Sequence, residues 1–164
     1  VDPYYLVHKA KELQYQTKMI NSGRYVNDSM GRYIGKKVVK KIISQGKNIL
    51  GAHVLVMGMT FKENVSDIRN SKVADIINEF KDFGAEVDVM DPFASPLEVL
   101  QEYGIRLVER PGKKYDAVVV AVAHTTYLKL DESYFMSITN EHAVLADVKG
   151  VYRGSIHQMI YWSL

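Results

Sequence analysis

The chain has 164 residues, enough for one well-buried domain, and its 47% apolar and 24% charged fractions are those of a globular protein, not a disordered one. A formal charge of +2, from 21 Lys and Arg against 19 Asp and Glu, is too small to draw nucleic acid. The absence of Cys excludes disulfides, thiolate metal sites and a cysteine nucleophile within these residues, and it fits a cytoplasmic location; no apolar run of about 18 residues predicts a membrane span and no basic-then-apolar start predicts a signal peptide.

In chain order, residues 4–14 read as a short helix, with Pro3 near the first turn where a missing N–H does no harm. Asn21-Ser22-Gly23 is expected to break that pattern and cap the next helix. From Arg24 to Ser44 the apolar residues Val26, Met30, Tyr33, Ile34, Val38 and Ile42 recur at helical spacing, and Val39 and Ile43 widen the stripe. Lys36, Lys37, Lys40 and Lys41 occupy the later turns, where cations suit the helix dipole. A break at Asn48-Ile49-Leu50-Gly51 divides the chain into a helical segment, 1–48, and a second domain, 49–164.

Beyond that break strands and helices alternate. Strands are predicted near 53–58, 86–90, 106–109, 116–122 and 143–147, and helices near 71–83, 95–103 and 131–139. The run Ala117-Val118-Val119-Val120-Ala121-Val122 is apolar on both faces, as a parallel strand covered by helices should be. The fold class is therefore α/β: a Rossmann-like domain with a parallel sheet of about five strands, preceded by a long central helix.

The segment from Gly58 to Lys72 joins the first strand to its helix, which places it at the carboxyl end of the sheet, where open α/β folds bind ligands. It offers Lys62, Asp67 and Arg69, and either Asn70 or Ser71 as a helix N-cap. Cations beside a helix start suit a phosphate or pyrophosphate, although the same residues would also make an ordinary solvated loop. The dinucleotide fingerprint G-x-G-x-x-G is missing, because Gly58 stands alone before Met59-Thr60-Phe61-Lys62. Any nucleotide here must be gripped by side chains.

Several pieces resemble one family. Phe61-Lys62-Glu63-Asn64 followed by Asp67-Ile68-Arg69-Asn70-Ser71 is similar to the FK-x-(D/N)-x-x-D-x-R-x-(S/T) segment of the UDP-glucose/GDP-mannose dehydrogenases. Val1-Asp2-Pro3-Tyr4-Tyr5-Leu6 resembles the tail of that family's G-G-H-C-I-G-V-D-P-Y-Y-L segment, and this tail favours the branch acting on UDP-N-acetylhexosamines. Val26-Asn27-Asp28-Ser29-Met30, Asp91-Pro92, Ala121-Val122-Ala123-His124, Asp147-Val148-Lys149-Gly150 and Tyr161-Trp162-Ser163-Leu164 extend the likeness over essentially the whole chain.

The resemblance implies the C-terminal part of an enzyme that oxidises the C6 alcohol of a UDP-sugar to a carboxylate with two NAD in polysaccharide biosynthesis. NAD would sit chiefly on an N-terminal domain and UDP on this one, and these residues alone would be inactive. The catalytic Cys would precede Val1, and Asp2 would hold or activate the water that hydrolyses a thioester; without the resemblance, Asp2 reads as a helix cap. Lys62 would contact the substrate's phosphates or nearby sugar, Lys149 and Tyr4 the substrate, and Arg69 a cofactor or substrate phosphate, with cofactor binding the assignment taken for it. Asp67 is expected to orient Arg69, and Asp147 to hold a neighbouring loop. Asn27-Asp28 is either cleft lining or a solvated helix face, and His124 either a nucleotide contact or a packing residue; Asp91 is expected to form a turn. The family also implies a homodimer through the central helix. The alternative is a non-catalytic nucleotide-binding or dimerisation module.

Overall fold

A computed structural model of the chain describes residues 2–164, with side chains from Pro3 onward. The elements are α1 (Asp2–Glu12), α2 (Lys18–Ser44), β1 (His53–Met57), α3 (Val73–Asp82), β2 (Glu86–Met90), α4 (Pro96–Tyr103), β3 (Tyr115–Val120), a 3-10 turn (Tyr127–Lys129), α5 (Glu132–Ile138), β4 (Thr139–Asp147) and β5 (Ile160–Ser163). They divide into two compact units, one ending at Met30 and one running from Gly31 to Leu164.

The larger unit is built on an all-parallel sheet of order β2-β1-β3-β4-β5. Alternation along each strand gives the sheet two buried faces. Val54 and Val56 of β1, Ala117 and Val119 of β3, and Val144 and Ala146 of β4 share one core with Ile34, Val38, Val39 and Ile42 of α2 and with Ile76, Ile77 and Phe80 of α3. Leu55, Met57, Val118, Val120 and Leu145 point the other way, to Tyr127, Phe135, Tyr152 and Ile156. Both faces are dry over β1, β3 and the second half of β4, so these stretches read as continuous apolar runs.

Two glycines one helical turn apart let α2 approach α3 closely. A Cβ on Gly31 would stand 2.6 Å from Asp75 Cβ, and one on Gly35 would stand 2.8 Å from Glu79 Cβ. Neither distance is sterically possible, so hydrogen is the only side chain that fits at this crossing.

Four expectations need correction. The helix of the central segment begins at Lys18 and passes through Asn21-Ser22-Gly23 without a break; Gly23 faces open space, so its helix cost of about 1 kcal/mol meets no competing contact. Val26, Tyr33 and Ile43 of the predicted stripe are exposed, and the buried line is Gly31, Ile34, Gly35, Val38, Val39 and Ile42. The strand expected at 106–109 amounts to one bridge, Leu107 to Val89 on the outer side of β2, before Pro111 and Gly112 turn the chain away. The fifth strand is instead β5, held at the far edge by Glu132, whose Oε1 accepts from the N–H groups of His157, Gln158 and Met159, and by Arg153, which donates to Ser163 Oγ and Leu164 O.

Among the described residues no helix is long and apolar enough to cross a membrane.

Candidate functional site

Strand order reverses between β1 and β3, and in doubly wound sheets the crevice at such a reversal is the usual ligand position. Gly58 leaves β1 at φ +95°, and a Cβ there would lie 2.5 Å from Val122 Cβ. That glycine lets the end of β1 and the segment after β3 pack directly together, which a larger side chain would prevent.

Above this contact, the side chains of Asp91 and His124 have no exposed surface. Asp91 Oδ2 accepts from Met59 N (2.5 Å), Thr60 N (3.0 Å) and His124 Nε2 (3.0 Å), while Oδ1 accepts from Phe93 N (2.7 Å) and Ala94 N (3.0 Å). Burial pushes the Asp91 carboxyl up, but the hydrogen bonds from His124 and from Met59, Phe93 and Ala94 outweigh it and hold the group well below the usual carboxylate range. The imidazole Nδ1 accepts from Asn64 N (3.0 Å), and Asn64 Oδ1 in turn accepts from Thr125 N and Oγ1. Asn64 sits at φ +59°, a conformation that asparagine tolerates better than most residues. His124 and Asp91 therefore knit three loops together. The His124 side chain is turned inward, and Asp91 forms the turn expected of it.

The same geometry decides against a dinucleotide in this crevice. An acidic residue at the end of β2 serves the ribose in dinucleotide folds, but both Asp91 oxygens are taken and the group is sealed from solvent. With Gly58 alone where the fingerprint has three glycines and with Asp91 engaged, the residues present do not fit NAD at this position.

The candidate binding residues lie on the outer surface of these loops. Lys62 is exposed on the loop after β1, its carbonyl accepting from Thr60 Oγ1 at 3.0 Å. Lys149 extends from the turn after β4, and its Nζ lies 3.3 Å from Glu63 Oε1, so Glu63 draws Lys149 toward the segment that bears Lys62. The Glu63 carboxyl is lowered, chiefly by a hydrogen bond from its own backbone and then, against some burial, by Lys149. Sequence reasoning passed over Glu63; the signal was a carboxylate beside a candidate phosphate lysine.

Arg69 lies further along the same loop. Its Nε and Nη2 form a fork with the two oxygens of Asp67 (2.9 and 2.8 Å), which holds the Asp67 carboxyl down at about 2. Arg69 also lines an open cleft of about 470 Å³ with Ser66, Asp67, Ile68 and the α4 residues Glu98, Gln101 and Glu102. The N-cap expected at Asn70 or Ser71 falls instead at Lys72, with no side-chain cap; Ser71 is buried, donating its N–H to Tyr103 and accepting from Val73 N.

Asp147 is buried, with Oδ1 accepting from Gly150 N and Oδ2 from Tyr152 N and Tyr161 OH. It shapes the turn that carries Lys149. In the smaller unit Tyr4 is exposed beneath Arg24, whose guanidinium carbon lies 3.2 Å from the ring centroid, and Asp28 is 3.9 Å from the same Arg24. Asp2 opens α1, but its side chain lies outside the described residues.

Residues 55–154, more than half of the chain, match the UDP-glucose/GDP-mannose dehydrogenase family, UDP binding domain. The chain belongs to this family. It is 41% identical over 150 residues to the UDP-N-acetyl-D-glucosamine 6-dehydrogenase of Pseudomonas aeruginosa, covering 91% of this chain and 36% of that protein. It is 40% identical over 152 residues to the enzyme of the same name from Salmonella typhi, covering 92% and 36%. Among solved structures, the UDP-N-acetyl-mannosamine dehydrogenase Cap5O from S. aureus superposes with a TM-score of 0.74 at 26% identity, over 99% of this chain and 36% of that one. The chain thus spans about 36% of the length of the curated relatives it matches.

Proposed function

We infer that this chain is the UDP-gripping part of an NAD-dependent UDP-sugar 6-dehydrogenase, acting on a UDP-N-acetylhexosamine in cytoplasmic polysaccharide synthesis. The observation that carries this is the ion pair from Lys149, on the turn after β4, to Glu63, the residue next to the exposed Lys62 on the loop after β1, in a domain whose family is defined by UDP binding. Two ammonium groups there offer the charge that a pyrophosphate needs. Glu63 holds Lys149 until the anion replaces it.

The remaining assignments rest on the family likeness. NAD binds elsewhere in the complete enzyme, since the β1–β3 crevice does not fit it. Arg69 then reaches a cofactor phosphate with the N–H groups that Asp67 leaves over. Tyr4 contacts substrate, and Asp2 holds the water that releases the product from an upstream cysteine. The complete enzyme pairs as a homodimer through α2. The 164 residues by themselves produce no NADH.

Calorimetric titration of the 164-residue protein with UDP, UDP-N-acetylglucosamine, UDP-glucose and GDP-mannose tests the central assignment. The uridine ligands should bind and GDP-mannose should not, and Lys62→Ala should weaken UDP by roughly 1.5–3 kcal/mol, the scale of a hydrogen bond to a charged group. No heat with UDP, or equal heats for all four ligands, would remove the assignment.

A further inference from the structure

One imidazole ties together the loops that leave β1, β2 and β3. His124 stacks on Phe93 from the β2 loop at 4.8 Å and meets the Tyr127 ring edge-on at 5.5 Å, so its plane is fixed. Within that plane its two nitrogens do different work. Nδ1 faces the Asn64 N–H, a donor, and must therefore carry the lone pair; the ring proton is then on Nε2, directed at Asp91 Oδ2 at 3.0 Å, with Thr60 Oγ1 a second, longer acceptor at 3.3 Å. Lys62 sits between two fixed points. On one side Met59 and Thr60 are bound by Asp91, and on the other the Asn64 amide is bound by His124.

We propose that His124 is the positioning residue of the lysine-bearing loop, its Nδ1 lone pair setting the Asn64 backbone and, through it, the place from which Lys62 meets the ligand. The proposal rests on the UDP-binding assignment for its ligand but not for its geometry. It makes the imidazole tautomer part of the binding site although the ring itself touches nothing outside the protein. An Asp91 carboxylate with four backbone donors is an acceptor throughout, so the Nε2 proton stays turned toward it and Nδ1 stays open toward Asn64.

Two amide replacements separate the two nitrogens. Asparagine puts its carbonyl oxygen near the place of Nδ1 and keeps an acceptor for the Asn64 N–H, while it gives up the donor to Asp91. Glutamine reaches the place of Nε2, keeps a donor to Asp91 and gives up the acceptor for Asn64.

In His124→Gln the Asn64 amide should exchange with solvent faster than in the wild type, and UDP should bind about tenfold more weakly, the effect of one buried hydrogen bond lost. In His124→Asn both should stay near wild type, even though both variants lower the melting temperature. Equal exchange at Asn64 in the two variants overturns the proposal, because a residue that only fills the core would affect both alike. Nitrogen NMR of the unmodified protein decides the case even where a variant does not fold: a proton on Nδ1 of His124 overturns the proposal, and a proton on Nε2 is required by it. Wild-type protein that fails to bind UDP would refute the ligand, and the Asn64 exchange would still decide the role of His124.

Discussion

The chain uses apolar residues in two opposite ways on either side of Met30. In the larger unit Phe80, Phe135 and Ile42 have no exposed surface, and the sheet is dry on both faces. In the smaller unit Tyr5 is 76% exposed, Met19 89% and Tyr25 75%, and no residue of α2 before Gly31 is buried. A single helix, α2, thus passes from one regime to the other. The change coincides with Gly31 and Gly35, where the helix first has a neighbour close enough to exclude every larger side chain. Amphipathicity within a helix is therefore a local property, set turn by turn by what lies opposite.

The largest test of this contrast is a core truncation. Phe80→Ala in the larger unit should lower unfolding free energy by about 3–5 kcal/mol in denaturant titration. A loss under about 1 kcal/mol would mean that the core of this unit is looser than its burial implies. Next is the helix crossing: Gly35→Val puts a branched side chain where Glu79 already stands, and overpacking of this kind costs about 1–3 kcal/mol. The same change at Gly23, which faces open space, should leave stability nearly unaltered.

Alkaline pH should also separate the units. Burial first, and then the Asp88 carboxylate 2.9 Å away, push the Tyr115 phenol from its ordinary 10 up to about 12. Burial and Asp147 likewise push Tyr161 up to about 12. A raised phenol pKa means that the folded state prefers the neutral form. Its contribution is complete below pH 10 and is lost as pH rises through 12. Circular dichroism followed against tyrosinate absorbance should show sheet signal disappearing across that window; a sheet unchanged beyond it would contradict these contacts.

The smallest effect belongs to the other unit. Tyr25→Ser should shift stability by less than about 0.5 kcal/mol, as exposed substitutions do. A larger shift that grows with protein concentration would place the face of α2 that carries Tyr25 in a dimer interface.

Most of the architecture was legible in the sequence because parallel strands with two dry faces are uninterrupted apolar runs. Val54-Leu55-Val56-Met57 and Val118-Val119-Val120 could hardly be anything else. The fifth strand was not legible for the same physical reason. Ile160–Ser163 is four half-buried residues at an edge, and its pairing depends on Glu132 and Arg153, which no local pattern announces. The Arg69–Asp67 fork and the exposure of Lys62 accord with spacing and loop position. The partition of His124 and Asp91 into a buried lock does not, because it depends on which of several strand-end residues turn inward. Gly31 and Gly35 carried a signal, two glycines at helical spacing inside a strong helix, that points to a close crossing.

The strand order has a consequence for synthesis. A chain emerging from its N-terminal end closes β2 on β1 first; β3 then takes the other edge of β1, and β4 and β5 each add to the strand before them. No strand is ever inserted between two partners already joined. The open edge moves outward as synthesis proceeds: the second edge of β1 waits for β3, that of β3 for β4 and that of β4 for β5, and β1 is the first to wait. During that interval Val54, Leu55 and Val56 line an unpaired apolar edge, the form of backbone that recruits other chains. Each ribosome-bound intermediate ending short of the next strand is exposed to aggregation in turn, until β5 closes the series as a short, half-buried edge.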